Sequence, residues 1–281
     1  MFETIINTFK LIGHSLSLAF RHKRLLIIPA ITGLMAVLVF AGMIGLIMLY
    51  VWGYKEQARA MTESETQKII FTLVWFFVYF FFTNLILTIG ELILAHATGD
   101  FFRTGKVSLA DATSKGFQRF GITLAWAATA AVIYSIAKLF KDEEKNRPTL
   151  GDAIMLGWRL ATFFIVPVFA FEQQGVIASI KQSATIFKNH FGKTAVATFS
   201  FGQLICLLML FSGLLLKAGS YVGIPSLMNA ILVGSFALVA YAFITSARVI
   251  FTTALYFHVK GYSTGGFNTD YLEKSFIHTN N

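Results

Sequence analysis

Five side chains able to do chemistry fall inside stretches otherwise too apolar for water: Asn84, Glu91, Arg159, Glu172 and Arg248. A charge within a membrane span is costly unless it pairs, reaches the head groups or lines a wet cavity, so each is a candidate site residue. Asn84, Thr88 and Glu91 stand at i, i+4 and i+7 and make one polar stripe on a helix. Tyr241, Thr245 and Arg248 share a face of another. Two kinds of chemistry follow. If the groups converge on one cavity, Arg159 and Arg248 offer fixed positive charge to a passing anion, Glu91 and Asn84 line the route, and Pro167 supplies a bend or gate. If they do not converge, they snorkel or pair locally, and depth alone matches Glu91 with Arg248. Arg159 stands about two turns from the outer end of its segment, within snorkelling reach. Glu91 lies about 20 residues into its own, close to the inner interface, where a carboxylate costs little.

Catalytic patterns are missing. The six histidines (His14, His22, His96, His190, His258 and His278) are scattered, with no HExxH and no pair at i, i+4. There is no Walker loop and no G-x-S-x-G elbow. Gly265-Gly266 reads as a turn, and Asp142, Glu143 and Glu144 sit in a solvated link without a pocket for acid–base work. Cys206 is alone in an apolar stretch and reads as a small buried hydrophobe. The expectation is therefore no enzyme, no metal and no cofactor.

The elements that must position these residues follow from composition. The 281-residue chain is 56% hydrophobic, 15% aromatic and only 13% charged, with mean hydropathy +0.68. A soluble domain carries about 25% charged residues, so lipid must cover much of this surface. The net charge of +9 resides mainly in connections between apolar segments, where anionic head groups account for it. Membrane lipids are the expected partners, with other membrane proteins or a second copy of the chain beside them. No basic stretch forms a soluble module, which argues against nucleic acid.

The pattern predicts an all-α polytopic membrane bundle of about six transmembrane helices. Residues 1–24 form an amphipathic interfacial helix, with Ile5, Phe9, Ile12, Leu16 and Phe20 on one side. Residues 25–259 hold six spans, near 25–52, 69–97, 121–140, 153–171, 194–216 and from 228 onward. Amphipathic connectors occupy 100–120 and 173–192, the second with Val176, Ile180, Ala184 and Phe187 as its apolar side and Gly192 as its C-cap. Residues 260–281 form a polar cytoplasmic tail. Ser108 with Asp111, and Thr149 with Asp152, have N-capping spacing. Pro29 sits where a missing N–H costs least, while Pro167 should kink the fourth span. Ala41 and Gly45 form a small-xxx-small pair for close helix contact, and Gly202, Gln203, Ser212 and Gly213 read as packing residues of the fifth span. With the N-terminus inside, 13 basic residues fall on the cytoplasmic side against 8 outside, and the outer group faces seven acids. That bias puts both termini inside.

A short internal repeat fits this plan. FQRFG (117–121) resembles FKNHFG (187–192), and each closes an amphipathic helix that leads into a span. The longer pattern RLATFFIVPVFAFEQQGVIASIKQSATIFKNHFG (159–192), a basic LLxxP-like entry (Arg24 to Pro29) and an ending from Ala254 to Phe276 resemble a bacterial family of multi-pass membrane proteins known as a domain of unknown function. Gln173 and Gln174 depart from the small residue such relatives carry after the Glu. The resemblance implies a fold and a bacterial inner-membrane location and brings no activity. A looser similarity to bacterial sulfate permeases of cysteine synthesis lies in the order of elements alone. The leading functional expectation is an accessory, scaffold or lipid-interacting component; the alternative is a small-solute permease or channel, with an anion as cargo.

Overall fold

An apolar run of about 20 residues can satisfy its backbone in lipid only by coiling. The computed structural model of the chain describes residues 2–53, 65–141, 147–189 and 191–264. Outside these lie the links 54–64 and 142–146, His190 and the tail from 265 onward. Lys55, Arg59, Lys145, Lys274, His278, the Asp142 to Glu144 run and Gly265-Gly266 therefore lie outside the described residues, as do the side chains of 2–9 and 191–200.

The helices are α1 (Phe2–Arg21), α2 (Arg24–Gly53), α3 (Glu65–Thr104), α4 (Leu109–Gln118), α5 (Phe120–Leu139), α6 (Leu150–Ala161), α7 (Ile165–Phe171), α8 (Val176–Asn189), α9 (Phe191–Tyr221) and α10 (Ser226–Val259). No strand occurs among the described residues. Six stretches are long and apolar enough to cross a membrane: 24–49, 70–104, 120–139, 150–171, 201–221 and 226–259. The chain is a polytopic helical membrane bundle.

Burial divides it into two zones. Most of the large apolar side chains of α2, α9 and the first half of α10 are exposed, including Leu38, Met48, Leu207, Met209 and Ile231, and lipid is the solvent they suit. The packed zone gathers Leu92 to Ala97 of α3, Phe164 to Ala170 and Val249 to Phe257, with Ile12, Leu18 and Ala19 of α1 and Ala112 of α4 against them. α3 touches α2, α4, α5, α7 and α10 and is the spine of both zones.

Close approaches occur at other small residues than the sequence suggested. Gly45, Gly202 and Gly213 face open space, so the Ala41/Gly45 pair joins no helices here. Tight contacts form instead at other glycines, among them Gly90 of α3 against Thr32 of α2, and Gly33 of α2 against Leu238 and Tyr241 of α10. Small-xxx-small spacing says that a helix can be approached, and the packing of its neighbours decides where. Cys206 is exposed, because its face of α9 points away from the bundle.

Two prolines interrupt helical hydrogen bonding inside the spans, and at Pro29 a distant residue fills the gap. Pro29 cannot donate to the Leu25 carbonyl four residues back. The Ser246 hydroxyl of α10 donates to that carbonyl at 3.2 Å, in a buried position. Around Pro167 the predicted kink is a full break: α6 ends at Ala161, a turn covers 162–164, and α7 starts at Ile165. Pro167 lies in the first turn of α7, where it denies the Phe163 carbonyl its helical donor. The Phe164 N–H donates to the buried Ser183 Oγ of α8 at 3.0 Å. Ser183→Ala strands that N–H, and an unmet buried donor costs roughly 1–3 kcal/mol. The expected result is a lower midpoint in detergent unfolding, whereas Ser183→Thr, which keeps the hydroxyl, loses less.

The caps form as their spacing indicates. Ser108 Oγ accepts from the Asp111 N–H at 3.4 Å. Thr149 and Asp152 make a reciprocal capping box that opens α6. Gly192 is no C-cap: α8 ends at Asn189, and Gly192 falls in the first turn of α9. The buried side of α8 is Ser179, Ser183, Ile186 and Phe187, rotated from the predicted apolar stripe. Small serines let α8 approach the α6–α7 break, a demand that hydrophobic periodicity does not encode.

Candidate functional site

Glu91 and Arg248 pair directly. Gly90 and Gly33 draw α2, α3 and α10 together, and one Arg248 guanidinium nitrogen meets Glu91 Oε1. The Glu91 side chain is 14% exposed and that of Arg248 39%. Thr88, one turn away on the predicted polar stripe, is buried. Asn84, the third member, is half-buried and turns back on its own helix, its amide donating to the Phe80 carbonyl at 2.8 Å. The stripe is real, and it serves one ion pair and one helix-internal hydrogen bond.

Glu172 is the second centre. It caps the end of α7, and its Oε1 accepts from Lys260 Nζ at 2.6 Å, the Tyr256 hydroxyl at 2.7 Å and Gln182 Nε2 at 3.0 Å. Its carbonyl accepts from the Arg119 guanidinium, which lies in the hinge between α4 and α5. Gln174 donates in turn to Gln182. One residue thus ties the α4–α5 hinge, α7, α8 and the end of α10. Its carboxyl is held below its ordinary 4.5, foremost by Lys260, then by Tyr256 and Gln182. A depressed folded-state pKa stabilises the protein fully above the ordinary value, and the contribution disappears as pH falls through the lowered one. Glu172→Gln should therefore lower stability at pH 7 and flatten its loss below about pH 4.5, read as thermal midpoints across an acid series.

Beside this network Arg103 stacks on three rings, 5.2 Å from Phe257, 5.6 Å from Phe171 and 6.0 Å from Tyr262. Lys115 bonds Asp111 and Asp100 at 2.7 and 3.1 Å, and the Asp111 hydrogen bond foremost raises its pKa above the ordinary 10.5. His96, T-shaped on Phe171, keeps Nε2 buried without a hydrogen-bond partner. Lys115 with Asp111 is an i, i+4 pair within α4, whereas the Lys115–Asp100, Arg103 and His96 contacts carried no sequence signal, since the partners are distant in the chain.

Arg159 stands apart. It lines an open cavity of about 570 Å³ between α3, α5 and α6, together with Phe76, Phe80, Tyr134, Lys138, Lys141 and Asp152. Glu91, Asn84, Glu172 and Arg248 are not in its lining. Five candidates thus separate into an ion pair, a local hydrogen bond, a four-element tie and a cationic cavity. Among the described residues no three His, Cys, Asp or Glu side chains converge as a metal site.

These features define a class: a multi-pass helical membrane protein whose intramembrane charges are largely spent on one another. The chain belongs to the family of unknown function DUF6159, which matches residues 66–266. No curated protein and no solved structure matches the chain.

Proposed function

We propose that the protein is a non-enzymatic component of a bacterial inner membrane that organises lipid or partner helices, with both termini in the cytoplasm. The observation that carries this reading is the Glu91–Arg248 pair. It removes both charges from the cavity that holds Arg159, whereas a solute pathway needs such groups around one wet space. In this reading α1, α4 and α8 lie in the inner head-group layer, and the exposed apolar faces of α2, α9 and α10 meet acyl chains or other helices. A permease is the second reading, favoured by the cationic cavity alone.

Accessibility separates them. With Cys206 replaced by serine, Asn84→Cys should resist a membrane-impermeant thiosulfonate in intact membranes, while Lys141→Cys reacts. Rapid labelling of Asn84→Cys would mean that water reaches the polar stripe and would favour the permease.

A further inference from the structure

We propose that the cavity between α3, α5 and α6 binds the phosphodiester head group of an anionic phospholipid, with Arg159, Lys138 and Lys141 as its cationic contacts. This site rests on the lipid-organising reading above and supplies its ligand.

Among the described residues, three cations and one carboxylate line the cavity, a positive excess. The carboxylate, Asp152, is already engaged at the start of α6, accepting from the Thr149 N–H at 2.9 Å and the Thr149 hydroxyl at 2.8 Å. Arg159 has no hydrogen bond or ion pair among the described residues, although it sits in a segment fit to span a membrane. A guanidinium at that depth needs a counter-charge or a route to the head groups. Its nearest level of relief is upward, toward Lys138 and Lys141 where α5 ends. Lys138 Nζ lies 5.3 Å over the Phe76 ring, and Phe80 stacks on Tyr134 at 4.5 Å, so the charge lies against aromatic walls.

The chemistry selects phosphate. A guanidinium presents paired N–H donors that match two phosphate oxygens, and ammonium groups at the rim add point charges. The cavity volume lies within the range of small-ligand sites, roughly 300–1,000 Å³. Its surroundings select a lipid over a free anion. Leu156 of α6 lines it and is exposed within a candidate span, so an acyl chain can lie against that rim while the head group enters.

The test uses the full-length protein in nanodiscs of phosphatidylcholine and of an equimolar phosphatidylcholine–phosphatidylglycerol mixture. Thermal midpoints and retention of phosphatidylglycerol by mass spectrometry are read for the wild type, Arg159→Gln, Lys141→Gln and the control Lys181→Gln on α8. The wild type and Lys181→Gln should be stabilised by phosphatidylglycerol and retain it. Arg159→Gln should retain it about tenfold more weakly, the loss of one charge-assisted contact. Lys141→Gln, an exposed rim position, should fall between them and guards against a folding failure at Arg159. Equal retention by all four proteins overturns the site. Stabilisation by inorganic phosphate in phosphatidylcholine discs, equal to that by phosphatidylglycerol, assigns the cavity to a free anion and also overturns it. Loss of the lipid effect leaves the non-transport reading standing. Protein-dependent anion flux would end that reading without touching lipid retention.

Discussion

Arg248→Ala is expected to destabilise the protein by about 2 kcal/mol, the cost of leaving a largely buried carboxylate without its partner. The variant leaves Glu91, only 14% exposed, with its direct partner removed. The carboxylate must then draw water between α3 and α10. The partner change distinguishes pairing from mere size. Glu91→Leu with Arg248→Leu removes both charges together, and a pair replaced by apolar groups of similar bulk is often neutral. The double variant should therefore unfold closer to wild type than Arg248→Ala does. Stabilities measured in one detergent series give the coupling, and additive losses would mean that the two side chains do not depend on each other.

Gly151→Ala is the second large effect. A Cβ there would come within 2.3 Å of the Ala137 carbonyl oxygen, 3.0 Å of the Lys141 nitrogen and 3.1 Å of the Phe140 carbonyl carbon. All three are backbone atoms, so no rotamer change relieves the clash. The Gly151 N–H also donates to the Phe140 carbonyl at 3.2 Å, which fixes the start of α6 against the end of α5. Separating these ends should cost about 3 kcal/mol, the upper end of ordinary overpacking. Gly157→Ala, with nothing within 4 Å of its Cβ, is the internal control. There alanine gains up to about 1 kcal/mol of helix propensity, so its unfolding midpoint should hold or rise. Similar losses at both positions would remove the α5–α6 contact as the cause.

Much of the architecture is legible in the residues because lipid simplifies the rule. Every long apolar run became a helix, since no other open structure satisfies the backbone there. Thr149 with Asp152 could be read as a cap because the two partners are three residues apart. The Glu91–Arg248 pair was legible for a different reason: few charges occur inside spans, so few pairings were open. Long-range repairs escaped. Nothing near Pro29 announces Ser246, 217 positions beyond it, and nothing near Phe164 announces Ser183. The Arg103 stack and the Glu172 tie likewise need the ends of α7 and α10 brought together, which only tertiary packing does. Glycine spacing misled for the same reason: Gly45 permits a contact that no neighbour makes, while Gly90 meets Thr32.

The most direct measurement of the central claim, that these charges hold the bundle together and carry no solute, is sulfate and chloride flux in liposomes. Purified wild-type protein and Arg159→Ala are reconstituted at matched density beside protein-free vesicles. Both proteins should leak no faster than the empty vesicles. Flux that the wild type supports and Arg159→Ala loses would contradict the account and make the cavity of Arg159 part of a pathway.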